Sequence, residues 1–280
     1  RDRLRSRGLG DVYKRQKVVM ADTITELGSN MFAYCENLKT IDWSENMERI
    51  NGEAFVGCSG LTEVRLPSKV KYIDGGVFRQ CTNLEQIMIP PSVEEIGEAF
   101  DASIIILCFE GSYAQQYAEE QGLRYILIED ENEEVEISQY GQLEYIVRND
   151  EVVIFSCLPE AEGDIVIPAE IEHEGVKYPV TEIAASAFAR CDKIGKVELP
   201  DTVKRLGQSA FAWSGVTEIN LPEGVTEIPK RAFADSKLTK IEIPETVMWI
   251  WDEAFAGCGN LQEVTLPDSL EFIGMIAFAN

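Results

Sequence analysis

The sequence predicts a repeat solenoid, mainly β with short turns and one capping helix, built from units of 22–23 residues in two tandem arrays. Three observations carry this. Phenylalanines recur at Phe32, Phe55, Phe78 and Phe100, then at Phe188, Phe211, Phe233, Phe255 and Phe278, always 22 or 23 residues apart within an array. An apolar pattern runs in register with them. It is plainest at Val216, Ile219, Leu221, Val225, Ile228, Ala232 and Phe233, with Pro222 closing the first apolar group, and it recurs from Leu61, Leu84, Ile194, Leu238 and Leu261. Three residues beyond each phenylalanine stands a small residue: Cys35, Cys58, Cys81, Ser103, Cys191, Ser214, Ser236 or Cys258.

No single helical or strand period fits all the apolar positions of a unit, whereas two short strands and a turn do. In Leu-x-x-Ile-x-Ile-Pro the last apolar residues alternate with polar ones, as in a strand with one buried face, and proline then ends the ladder. Each unit is too small to bury its apolar edge alone and must stack on its neighbours. The phenylalanine and the small residue after it are expected to fill the interior.

The unit resembles the BspA-type leucine-rich repeats of bacterial surface and secreted proteins, which read Ile-x-Ile-Pro-x-x-Val-x-x-Ile-Gly-x-x-Ala-Phe-x-x-Cys. The resemblance covers residues 17–128 and 138–280. Departures are local: Trp43-Ser44 for Ile-Pro, Pro229 and Trp251 for the glycine after isoleucine, and serine for cysteine in three units.

Taken in order, residues 1–16 stand outside the repeat. Asp11–Gln16, DVYKRQ, resembles the translation of a transposase adapter used in sequencing libraries, so the segment is read as non-native and set apart from the fold. Array 1 runs from 17 to 128. It closes with a cap in which Ser112 and Gln115 form a capping box, a helix spans Tyr113–Gln121, Gly122 stops it, and a strand follows over Arg124–Ile128. Tyr113, Ala114, Tyr117 and Ala118 are expected on its inward side. Residues 129–137 follow as a solvated acidic linker, with six acids in Glu129–Glu136. A calcium loop is the sharper reading of those acids, but the run lacks the glycine such a turn uses.

Array 2 occupies 138–280 and opens on a hairpin that covers its edge. Leu143, Tyr145 and Val147 alternate on one strand, Arg148–Glu151 turn the chain, and Val153 and Phe155 alternate on the return. Extra residues around AEIEHEGVKYP, between Pro168 and Val180, are expected as a rim loop. The sequence stops at Asn280 just after Phe278, within a unit, which reads as truncation of array 2.

The net charge of −24 opposes binding to nucleic acid and anionic lipid. Setting residues 1–16 aside leaves 19 basic and 47 acidic residues. No apolar run approaches the roughly 18 residues of a membrane span. His173 is the one histidine, placed on the surface, and none of the common nucleophile, phosphate-loop or zinc motifs is present. The reading is therefore non-enzymatic, with no cofactor and no metal. Seven cysteines, five in the interior column with Cys108 in the cap and Cys157 in the hairpin, are read as buried thiols, because parallel neighbours on a ladder do not reach the S–S torsion a disulfide needs.

Function is expected on the outward positions of the first strands. In array 1 these are Thr40, Asp42, Glu63, Arg65, Gln86 and Met88. In array 2 they are Lys196, Glu198, Glu218, Asn220, Lys240, Glu242, Glu263 and Thr265. A second candidate surface is aromatic: Trp249 and Phe272 share one position in adjacent units where others carry Arg49, Glu95, Arg205 and Glu227, with Trp251 and Met275 nearby. The resemblance implies a cell-surface or secreted bacterial protein engaging host matrix proteins or bacterial surface proteins. The alternative is a carbohydrate-binding or spacer module of a larger secreted enzyme, with the aromatic group as a platform for sugars.

Overall fold

In the computed structural model, residues 16–101 and 103–279 are described. Of the segment read as adapter-derived, only Gln16 falls among them, and its carbonyl accepts the Lys39 and Thr40 amides as part of the first ladder. The chain divides into two units, Arg1–Glu133 and Glu134–Asn280.

In the first unit each turn of chain contributes two short parallel strands. The first strands are Lys17–Val19, Thr40–Asp42, Glu63–Arg65, Gln86–Met88, Ile105–Cys108 and Tyr125–Leu127, and the last four form one sheet. The second strands, Glu26–Leu27, Arg49–Ile50, Tyr72–Ile73 and Glu95–Ile96, pair as a continuous ladder. The first ladder is interrupted after Thr40–Asp42, in the turn that carries Trp43-Ser44. There Ser44 is buried and accepts the Asn46 amide at 3.2 Å, while Trp43 meets Phe55 edge-on.

The part of each repeat expected as a plain turn is a third ladder. The amides of Asn30, Phe32 and Tyr34 donate to Gly52, Ala54 and Val56, and those of Ser186, Phe188 and Arg190 donate to Gln208, Ala210 and Ala212. Backbone corners make this possible. Residues two before and two after the phenylalanine take positive φ, as at Asn30 and Tyr34, Glu53 and Gly57, Ser209 and Trp213, and Glu253 and Gly257. A left-handed conformation costs a non-glycine residue about 1 kcal/mol. The inter-turn hydrogen bonds and the buried ring between the two corners offset it.

That ring is the central packing device. Phe32, Phe55, Phe78 and Phe100 stack at 5.3, 5.5 and 6.2 Å between centroids with nearly parallel planes. Phe188, Phe211, Phe233, Phe255 and Phe278 stack at 4.9, 5.3, 5.2 and 5.0 Å. Beside each stack runs the small column. Cys58, Cys81 and Cys258 donate their thiols to the carbonyls of Phe32, Phe55 and Phe233 one turn back, at 3.1, 3.2 and 3.0 Å. Ser103 departs from the expectation and is exposed, because after Phe100 the chain leaves the repeat path for Ile105–Cys108.

The helix Tyr113–Gln121, α1, closes the first unit. Ser112 caps it by accepting the Gln115 amide, and Gly122 ends it with φ 65°. Its inward side holds Ala114, Tyr117 and Ala118, whereas Tyr113 is exposed, contrary to the expectation. Tyr113 is the first residue of the helix and points away from the turn that Tyr117 covers.

The second unit opens on the hairpin Leu143–Arg148 and Glu151–Cys157, turned by Asn149 and Asp150, both at positive φ, with Ser138–Tyr140 added outside. Glu151–Cys157 lies parallel to Val176–Ile183 and so covers the edge of the repeat ladder. The phase of this strand differs from the expectation: Val152 and Ile154 join the core of the array, and Val153 and Phe155 are buried on the other face. Across the hairpin Val152 lies opposite Val147 and Ile154 opposite Tyr145, and cross-strand partners share a face. The expected rim loop is an antiparallel hairpin, Glu170–His173 with the start of Val176–Ile183, turned at Glu174 and Gly175. His173 is half-buried there, its Nδ1 hydrogen-bonded to the Tyr145 hydroxyl at 3.2 Å.

Candidate functional site

The first strands of the second unit, Gly163–Val166, Ile194–Glu198, Glu218–Ile219, Lys240–Glu242 and Glu263–Thr265, turn their polar residues outward while Val197, Ile219 and Ile241 go into the core. Parallel register makes two rows of the outward residues. Lys196 pairs with Glu218 and Lys240 with Glu263 in one row, and Glu242 pairs with Thr265 in the other. The rows line a groove of about 410 Å³, with Leu221, Glu223 and Pro244 along one side. Within it Lys240 lies 3.9 Å from Glu218, and Lys196 sits 2.7 Å from Glu198. That hydrogen bond to Glu198 raises the Lys196 ammonium pKa above its usual value. Exposed pairs of this kind contribute little to stability, so these groups can exchange partners at little cost.

Of the expected positions, Lys196, Glu218, Asn220, Lys240, Glu242, Glu263 and Thr265 line the groove, and Glu198 stands beside it. Asn220 has a structural duty as well. Its Oδ1 accepts the Leu199 amide and its Nδ2 donates to the Leu199 carbonyl, both at 2.8 Å, which continues the ladder where the strand Glu218–Ile219 has ended. Glu223 is a lining residue that sequence reasoning missed. It stands in the variable positions after the proline, where the repeat pattern signals only that a strand has ended.

The same face of the first unit differs. Glu63 is exposed and Gln86 lies against it at 3.5 Å, but Met88 is buried at 3 % exposure and offers no outward surface. Arg65 is half-buried, its guanidinium donating to the Glu131 and Glu133 carbonyls at 2.7 and 3.0 Å. Residues 129–133, expected as a solvated linker, are thus a hydrogen-bonded strap of the first unit. Asp130 Oδ1 accepts the Asn132 amide and the Glu133 carboxylate accepts the Glu129 amide, so backbone and acids fold on themselves.

The aromatic surface assembles on the second strands. Trp249 and Phe272 are register partners, Trp251 and Phe272 stand 5.7 Å apart and tilted, and the Trp251 indole N–H donates to Glu227 at 2.6 Å. Trp251, Phe272 and Met275 are exposed, whereas Trp249 is half-buried. Ile273 and Ile276 are exposed next to them.

All seven cysteines are buried thiols. Burial pushes Cys58 up to about 12 and Cys81 up to about 11, despite backbone hydrogen bonds that lower both. Such thiols are poor nucleophiles at neutral pH. Among the described residues no cluster of His, Cys, Asp or Glu has the arrangement to hold a metal ion, and no helix is long and apolar enough to cross a membrane.

A family model described as BspA type leucine rich repeat region matches six copies, over residues 11–110 and 177–280. No curated protein matches the sequence. Among solved structures, a leucine rich cell surface protein from Faecalibacterium prausnitzii is 24% identical over 95% of this chain and 76% of its own, with TM-score 0.52. A T. pallidum leucine rich repeat protein is 29% identical over 51% of this chain and 67% of its own, with TM-score 0.43. A leucine-rich repeat protein from Bacteroides capillosus is 27% identical over 49% of this chain and 87% of its own, with TM-score 0.34.

Proposed function

Because the chain belongs to the BspA-type leucine-rich repeat family, we propose that it is a non-enzymatic binding scaffold, displayed on or secreted from a bacterial cell, that grips a protein partner. The family is one of repeat proteins, which are not typically enzymes, and its members are bacterial surface or secreted proteins. The observation that carries the reading is the groove on the first strands of the second unit, where two rows of charged and polar side chains stand on a floor fixed from below by the core. A stacked backbone holds these groups in place at little entropic cost on binding. The partners expected are host extracellular matrix proteins or bacterial surface proteins.

The test is capture of immobilised matrix proteins and of whole bacterial cells by the purified chain, beside a glycan array. Saturable protein capture that changes about tenfold or more, in either direction, in a K196E/K240E variant supports the groove. Capture that is unchanged in that variant removes it.

A second reading is favoured by the aromatic surface alone. Trp251 and Phe272 present tilted, exposed rings with an acid, Glu227, bound to the indole edge, a surface suited to stacking a sugar ring. In that case the chain is a carbohydrate-binding or spacer module of a larger secreted enzyme. Glycan binding lost in W251A/F272A, with no protein capture, is the result that selects it.

A further inference from the structure

We propose that the occupant of the second unit's groove is a cationic, extended polypeptide segment of a partner protein, laid across the first strands. This rests on the reading of the groove as the binding face and names the chemistry of what it takes.

The first unit supplies the precedent for a chain crossing this face. The strap begins after Tyr125–Leu127, yet it is held by Arg65, which lies three strands away in the sheet order. With strands about 4.8 Å apart, the strap and the Arg65 side chain together span about 14 Å. That span passes the row in which Met88 and Leu107 are register partners, and both are buried, at 3 % and 1 % exposure. The face of this repeat therefore accommodates polypeptide running across its strands, held by its main-chain carbonyls.

The equivalent face of the second unit is the open groove, whose volume falls within the roughly 300–1,000 Å³ of ordinary ligand sites. Charge decides what fits. The position of Arg65 in the repeat is held there by Glu198, Asn220, Glu242 and Thr265, so no cation stands ready to take carbonyls or acids. The two lysines of the groove each face an acid already, Lys196 beside Glu198 and Lys240 near Glu218. Glu223, Glu242 and Glu263 add negative charge with no lysine of their own among these contacts. A segment like the chain's own acidic strap is repelled, and one carrying lysine or arginine at alternate positions is drawn in.

The probes are two fluorescein-labelled decapeptides, one of alternating glycine and lysine and one of alternating glycine and glutamate, followed by anisotropy at low ionic strength and at about 150 mM salt. The lysine peptide is expected to bind and the glutamate peptide not to. Affinity should fall about tenfold or more in E218K/E242K/E263K and stay unchanged in E172K/E174K/E271K, which shifts the net charge equally away from the groove. Equal loss in both variants, no loss in the first, or equal binding of both peptides overturns the proposal. If the triple variant fails to fold by circular dichroism, E242K alone is judged by the same criterion, with a smaller loss expected. Should the lysine peptide fail while K196E/K240E still changes capture of a matrix protein, the groove remains the binding face and only this occupant falls.

Discussion

Tyr117 meets Phe100 edge-on, with centroids 6.1 Å apart and planes at 77°, and so ends the phenylalanine stack of the first unit by turning its axis. Parallel rings leave an open face at the last member of any stack. A T-shaped contact closes that face with the ring of a helix residue whose other neighbours, Ala114 and Ala118, are small enough to let the helix approach. Replacing Tyr117 by alanine should destabilise the first unit by about 3 kcal/mol, the usual cost of removing a large buried aromatic. Hydrogen exchange of the full chain in low urea should show protection lost first around Phe100. Uniform loss across both units would mean the helix is not an end cap.

The raised thiol values carry a pH signature. A thiol whose folded-state pKa lies above its unfolded value favours the folded chain while it stays protonated. The stabilisation is complete below about pH 8.5, the ordinary thiol value, and is lost as pH rises toward 11 and 12, where Cys81 and Cys58 ionise in the fold. The urea midpoint should therefore fall from about pH 9 upward. C58S/C81S should flatten that fall, since Ser214 in the same column shows that a hydroxyl can bond a phenylalanine carbonyl there, at 2.7 Å to Phe211. An unchanged alkaline slope in the double variant would place its origin elsewhere.

Much of this was legible in the sequence because a repeat states each contact several times. The phenylalanine column, the small column and the cap at Ser112 and Gly122 follow from spacing alone. Where the structure differs, a feature occurs once or is carried by backbone. Met88 occupies an outward position by repeat logic, yet a strap with no counterpart among the described residues of the second unit crosses its row. Ser103 fits the small column by count, but the chain has left the repeat path. The turn at Asn149 and Asp150 sets Val152 opposite Val147, which puts Val152 and Ile154 on the core face, and alternation alone does not fix that pairing. The paired left-handed corners were hidden because residues as different as Tyr34, Gly57 and Trp213 occupy them.

The Arg65 side chain ties the strap to the sheet. Arg65 satisfies two carbonyls, and hydrogen bonds from a charged donor contribute about 1.5–3 kcal/mol each when partly buried. Arg65→Ala should release residues 129–133 without unfolding the array. Cleavage by a glutamate-specific protease within Glu129–Glu136 should accelerate about tenfold or more, since local opening sets that rate. Arg65→Lys should fall between, because an ammonium does not span two acceptors as a guanidinium does. Equal cleavage rates in all three proteins would show that the strap is held by other contacts.

Asn220 separates a contact residue from a structural one within the groove itself. Its amide completes the ladder to Leu199 as donor and acceptor at once. Asn220→Asp keeps size and keeps an acceptor for the Leu199 amide, but it leaves the Leu199 carbonyl facing a carboxylate oxygen with no donor between them. Stability should drop by about 1–3 kcal/mol, the cost of an unmade bond at a largely buried backbone group. The added negative charge should meanwhile strengthen capture of the lysine decapeptide, or leave it unchanged, once corrected for folded fraction. Stability and affinity thus move in opposite directions if Asn220 serves the backbone. A variant that keeps its urea midpoint but loses peptide affinity would instead make Asn220 a direct contact, since only a lost bond to the ligand lowers binding without disturbing the ladder.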